Sequence, residues 1–288
     1  MPVEQKITRN ESPRLSNLQL LDPFRLGVML WQKRSLIQQF TKREVEQRYR
    51  GSMLGILWSF LNPLFLLTVY TVVFGFIFGA KFEEGGTESR IDFALALFCG
   101  LNMFQVTADA ITAAPRLILA NQNYVTKVIF PLEIFPVVQC LNSMIHLGVA
   151  TIPLLIGLVI FHGGIALTAP LWLFLLLPLF LLTLGFTWFL SSLGVFLRDI
   201  NSLVNPLIMV LMYGSAIFYP FSAVPENLRW VVIGNPLAQL VNESRKVLVF
   251  GQPLDWGIYA MFSLISIVVC MIGYLFFMKT KHAFADVL

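Results

Sequence analysis

From Ile134 to Leu197 the chain carries no Lys, Arg, Asp or Glu. A run of that kind cannot sit on the surface of a soluble domain, and it is long enough to cross a bilayer twice, since one crossing helix needs roughly 20 apolar residues. "FHGGIALTAP" interrupts it, and Gly163 and Gly164 suit a turn there. Other uncharged runs are Gly51–Ala80, Ile200–Pro225 and Trp256–Met278, and Phe93–Ala114 holds only Asp109. Six membrane helices are therefore expected, at about 56–80, 92–114, 134–161, 169–197, 201–219 and 256–278. Composition agrees. Charged residues make up 12% of the chain and the mean hydropathy is +0.76, whereas soluble domains carry about 25% charge. The expected fold class is an all-α integral membrane protein.

Loop charge sets the orientation. With the N-terminus inside, fifteen Lys and Arg fall in inside segments and five in outside ones. The outside loop "KFEEGGTESRID" is also acidic. The positive-inside rule then puts both termini in the cytoplasm. The net charge of +4 does not imply nucleic acid, because ten of the 20 Lys and Arg lie in the first 50 residues, beside a membrane segment. Residues 1–25 are polar, lack the apolar run of a cleavable signal, and read as a flexible cytoplasmic tail. Cys99, Cys140 and Cys270 lie in apolar runs and read as small buried hydrophobes.

Residues 26–50 read as an amphipathic helix. Leu26, Met29, Leu30, Leu36, Ile37 and Phe40 form an apolar face, with Lys33 intruding on it and its stem free to snorkel. From Thr41 the pattern turns charged, and "REVEQRYRGSMLGILWSFLNP" (Arg43–Pro63) passes straight from charge into an apolar span. Between the fifth and sixth runs lies "SAVPENLRWVVIGNPLAQLVNESRKVLVFGQPLDW". Its apolar piece, Trp230–Val241, is too short to cross and is broken by Gly234, Asn235 and Pro236. Two short re-entrant helices are expected, with an amphipathic surface loop as the alternative. Three "NPL" triplets, at Asn62, Asn205 and Asn235, read as starts of helices, and Pro63 also as a kink in the first span.

No GxxxxGK[ST] loop, HExxH pair or Ser/His/Asp arrangement occurs. His146 and His162 read as a core and a loop histidine, and no metal site is expected. The spans are poor in ionisable groups, which argues mildly against an ion-coupled carrier.

"KREVEQRYRGSMLGILWSFLNPLFLLTVYTVVFGFIF" resembles the opening of the membrane subunit of bacterial polysaccharide exporters of the type-2 ABC transporter family. "FLRDINSLVNPLIMVLMYGSAIFYP" and "NPLAQLVNESRKVLVFGQPLDW" are similar to later parts of the same family. The resemblance implies a permease with no cofactor of its own. It implies a homodimer with two separate ATPase subunits that bind ATP and Mg, in the bacterial inner membrane. The implied cargo is a glycan on undecaprenyl diphosphate, of O-antigen, capsule or teichoic-acid type. An ABC permease for a small amphiphile or drug is the alternative.

Roles then follow as expectations. Arg48 and Arg50 would recruit the lipid diphosphate, because Arg gives planar bidentate phosphate contacts; contact with membrane lipid headgroups is the rival reading. Leu54 and Gly55 would form the short loop where substrate enters. Tyr70, Phe74 and Phe78 share one side of the first span, drifting by about 40° per step of four residues. They would line the channel, or simply pack. Pro115–Pro131 reads as an independent short helix, and in the family this position couples to the ATPase. Arg116, Asn121, Tyr124 and Lys127 on it, with Arg198 and Asp199 in the next inside loop, would receive that subunit; solvated loops are the alternative.

Overall fold

The computed structural model describes residues 22–49, 57–77, 90–126 and 130–288. Among them every regular element is helical. Four helical stretches are long and apolar enough to cross a membrane: Ile91–Leu117, Ile134–His162, Ala169–Phe196 and Trp256–Val287. Two further apolar helices, Phe60–Val73 and Ile200–Gly214, are shorter than a bilayer requires.

Helix α1 (Pro23–Gln32) starts where Asp22 accepts hydrogen bonds from the Phe24 and Arg25 backbone, with Pro23 in the first turn. It stops at Lys33, and α2 (Arg34–Tyr49) follows at once. The single helix expected over 26–50 is thus two helices with a break at Lys33. Leu26 and Ile37 are buried, whereas Phe24 and Trp31 are exposed. Arg34 stacks over the Trp31 ring.

Helix α3 (Leu57–Tyr70) runs on as π-helical turns over Thr71–Ile77. Pro63 lies inside α3, and Pro206 lies inside α8 (Ile200–Gly214). Only the third triplet starts a helix: Asn235 accepts from the Leu237 backbone and caps α10 (Pro236–Leu248). Proline is tolerated inside helices at membrane depth because neighbouring groups re-satisfy the freed backbone. The Asn-Pro signal alone therefore does not mark a helix start here.

Helix α4 (Arg90–Leu117) is the centre of the molecule; Phe93 to Cys99 are all buried. It runs through Pro115, so that proline does not bound a separate helix as expected. After it come a 3-10 turn at Leu119–Asn121 and the short α5 (Gln122–Thr126). Helix α6 (Ile134–His162) ends at Gly163, whose φ of 73° is the left-handed cap that glycine adopts freely. At that end His162 lies 2.7 Å from Asp92 of α4.

Helix α7 (Trp172–Phe196) and the last long helix, α11 (Trp256–Thr280), touch backbone to backbone. A Cβ on Gly273 would overlap the Gly185 carbonyl, and one on Gly185 would sit 2.6 Å from the Val269 oxygen. Small residues permit this approach, the main source of helix attraction where the solvent is itself apolar. Gly194 likewise lies against the Pro115 backbone of α4.

The fifth expected span, 201–219, is cut short. Helix α8 ends at Gly214, and Ala216 takes a φ of 50°. Beyond it come α9 (Arg229–Ile233) and α10, then α11 and a terminal turn, α12 (Phe284–Val287). Two short helices do stand between the fifth and sixth apolar helices.

Candidate functional site

Lys33 of the first helices and Lys281 near the C-terminus meet at Glu133, just before α6. Its carboxylate is 5% exposed; it pairs with Lys33 at the α1–α2 break and with Lys281 at 2.9 Å. Its backbone oxygen accepts from the Trp188 indole at 3.0 Å. Burial alone would raise this carboxyl, but Lys281 and Lys33 outweigh it and hold it below its ordinary value. Lys33 is therefore an anchor, where the sequence suggested only snorkelling. Glu133 and Lys281 went unnoticed because their partners lie 100 and 148 residues away.

Two turns further along, α2 docks on the segment between α4 and α6. Phe40 packs edge-on to Tyr124, with ring centroids 5.7 Å apart, and against Phe135 at the same distance. Phe130 closes the group, 4.7 Å from Tyr124. Tyr124, expected to face an ATPase, thus also ties its loop to α2. Asn121 donates to the Leu117 carbonyl and lines a small cavity with Arg43, Glu44 and Gln47 of α2.

The loops that follow α4 and α7 are also joined. The Arg116 Nε donates to the Asn201 side chain at 3.0 Å, and Asn201 donates in turn to the Arg198 carbonyl. Arg198 and Asp199 are exposed beside this contact. Arg116 is thereby brought beside the loop that carries Arg198 and Asp199. Lys127 lies outside the described residues, as do Arg50, Leu54, Gly55 and Phe78. Arg48 is in the last turn of α2 and Phe74 in the π-helical turns; their side chains are not described.

Tyr70 lines a cavity of about 480 Å³ between α3, α4 and α6. The wall combines aromatic rings with the amides of Asn62, Asn102 and Gln105 and with Asp109, the acid noted within the second span. His146 also faces this space and is not a plain core residue. The π turns close i→i+5 bonds, so the register past Tyr70 departs from the α-helical spacing on which the aromatic stripe was drawn.

Polar residues of α10 point into the protein. Arg245 is 3% exposed and donates to the carbonyls of Ala96 (3.0 Å), Ala216 (3.0 Å) and Ile217 (2.6 Å). Asn235 donates to the Gly214 carbonyl. These bonds hold the turn that ends α8. Glu243, 1% exposed, accepts from Lys246 at 2.6 Å and from the Asp255 backbone at 3.0 Å. Ser244 accepts from the Trp172 indole at 2.8 Å. The sequence reading expected two short re-entrant helices here and counted Arg245 and Lys246 among the outside charges. Helix α10 is enclosed on most sides, with Leu240, Val241 and Val247 as buried as Glu243 and Arg245.

No cluster of metal-ligating side chains occurs among the described residues. The profile of the ABC-2 type transporter family matches residues 35–249. The chain is 26% identical over 255 residues to the O-antigen export system permease protein RfbA of Klebsiella pneumoniae, a match covering 88% of this chain and 95% of that one. It is 27% identical over 230 residues to the protein of the same name from Myxococcus xanthus, covering 77% and 84%. Its identity to the polysialic acid transport protein KpsM of Escherichia coli is 24% over 234 residues, covering 78% and 86%.

Proposed function

The chain belongs to the ABC-2 type transporter family, and from that premise we propose that it is the permease of an ABC exporter for a lipid-linked polysaccharide. The observation that carries this reading is the set of relatives, aligned over most of their own length and named for export of surface polysaccharides. The proposed cargo is O-antigen on undecaprenyl diphosphate. Two copies of this chain form the channel in the bacterial inner membrane, and two separate ATPase subunits drive it with ATP and Mg.

In this reading α3 and α8 are the two further spans, giving six, with both termini cytoplasmic. The side of α8 bearing Leu203, Leu207 and Val210 is exposed in the single chain; the second copy would cover it. The α9–α10 pair re-enters from the outside. Support for an ATPase seat comes from the cytoplasmic contacts. The Arg116–Asn201 bond puts both inside loops on one surface, and the Phe40–Tyr124 contact ties that surface to α2. Arg48 and Arg50, at the end of α2, recruit the diphosphate beside the Leu54–Gly55 loop. The glycan then passes Tyr70, Phe74 and Phe78.

The test is deletion of the gene in its own host. Lipid-linked polymer should accumulate inside while surface polysaccharide disappears, and a plasmid copy should restore it. The purified chain should hydrolyse ATP only when joined by its partner. Unchanged surface polysaccharide with new sensitivity to small amphiphiles would replace this reading with the drug-export alternative.

A further inference from the structure

The cleft between α3, α4 and α6 holds more polar chemistry than helix packing requires. Polar side chains at membrane depth are costly and mark function unless they serve one another. Two of them do serve the protein: Asn102 donates to the Ala150 carbonyl at 3.2 Å, and Gln105 to Asp109 at 2.6 Å. Ser143 does not. It lines the cleft, is 2% exposed, and its hydroxyl has no hydrogen-bond partner among the described residues. Thr151, two turns further along the same helix, folds its hydroxyl back onto the Leu147 carbonyl at 2.7 Å. The Ser143 hydroxyl has the same option open and does not take it.

The rest of the wall says what such a hydroxyl would meet. Trp58, Phe65, Tyr70 and Phe98 supply flat apolar faces, and the amides and Asp109 supply donors and acceptors close by. Among the described residues the lining contains Asp109 and His146 and neither Lys nor Arg. A phosphate would find no permanent cation there and one carboxylate to repel it. A sugar ring has the opposite needs: an apolar C–H face for an aromatic ring, and neutral hydroxyls that both donate and accept. The volume of about 480 Å³ lies within the ~300–1,000 Å³ of small-molecule pockets.

We propose that this cleft binds an uncharged sugar unit of the exported polymer, at a site inside the membrane and distinct from the cationic residues that recruit the diphosphate. The proposal rests on the export reading and deepens it. Amide groups grip the ring hydroxyls, Ser143 completes the set, and an aromatic face carries the ring. A neutral unit is retained here while the charged anchor is held elsewhere, so the two ends of the cargo are read by different parts of the protein.

The test uses the full chain in nanodiscs and saturation-transfer NMR with methyl glycosides of glucose, galactose, mannose and N-acetylglucosamine, against glucose 1-phosphate. At least one neutral glycoside should show transfer, and glucose 1-phosphate should neither show it nor compete. Ser143→Ala should weaken that binding about fivefold, the equivalent of one neutral hydrogen bond. Its thermal stability should hold or rise, because a merely buried, unpartnered hydroxyl is better removed. Gln105→Leu should weaken binding at least as much. The proposal is overturned if no glycoside binds, if the phosphate competes, or if Ser143→Ala binds like wild type. In parallel, wild-type protein is scored for restoring surface polysaccharide in deletion cells. Restoration without glycoside binding rejects the cleft and leaves the export reading standing; no restoration rejects the export reading itself.

Discussion

Replacing Glu133 with Gln should release the first two helices while leaving the membrane core intact. The substitution keeps the shape and the Trp188 bond to the backbone oxygen, but removes the charge that Lys33 and Lys281 share. A hydrogen bond to a charged group contributes about 1.5–3 kcal/mol. The two lysine side chains are 29% and 23% exposed, so solvent weakens both and the lower figure applies. Only the Lys33 bond holds α1 and α2, so their docking equilibrium changes by about 1.5 kcal/mol, or roughly tenfold, while loss of the Lys281 bond loosens the C-terminal turn. Hydrogen exchange in nanodiscs reads this directly. Amides over 23–49 should lose about one decade of protection, and those of α7 none. The pH dependence follows from the lowered carboxyl. Its contribution is complete above the range of a free glutamate, near 4.3, and disappears as pH falls through the lower value of the docked state. Wild-type protection should be flat from pH 5.5 to 8 once intrinsic rates are removed, fall below about 4, and lose that acid limb in Glu133→Gln. Wild-type protection over 23–49 in the variant would refute the reasoning.

Arg245→Met leaves the Ala216 and Ile217 carbonyls buried without a donor; thermal unfolding in detergent should show a loss of about 2–6 kcal/mol. Arg245→Lys should recover less than half of it, since an ammonium does not reproduce the planar fork. Gly273→Leu drives a side chain into the Gly185 carbonyl and should cost more than ~4 kcal/mol, read as lost monodisperse yield. Arg116→Ala unties the loops that follow α4 and α7; in the proposed complex, ATP hydrolysis should continue while export falls.

The long helices were legible because charge-free runs have one physical solution in a bilayer. The turn at Gly163 was legible because its left-handed φ favours glycine. What stayed hidden depends on distance along the chain. Lys33, Glu133 and Lys281 each look like an ordinary boundary charge, and only folding brings them together. Arg245 and Glu243 lie in a segment whose composition reads as surface, yet both are buried. The NPL triplets mislead for a related reason: a capping residue and a tolerated internal proline look alike until the preceding backbone is known. In the candidate site, Tyr70 drew notice by its four-residue spacing and Arg116 by its place in the loop after the second span, whereas Ser143 carries no sequence signal at all.

The glycine contacts distribute stiffness unevenly. Where α7 meets α11 and α4, backbone lies against backbone with no side chain between to act as a bearing. Such surfaces can neither slide nor roll without atoms colliding, so these three helices form a strut. Helix α3 is mounted differently: it closes one side of an open cleft and runs on into π-helical turns. A force applied at the loop after α4 therefore passes through the strut nearly undamped, and α3, which has no such backbone contact among the described residues, is the wall of the cleft where it would be absorbed.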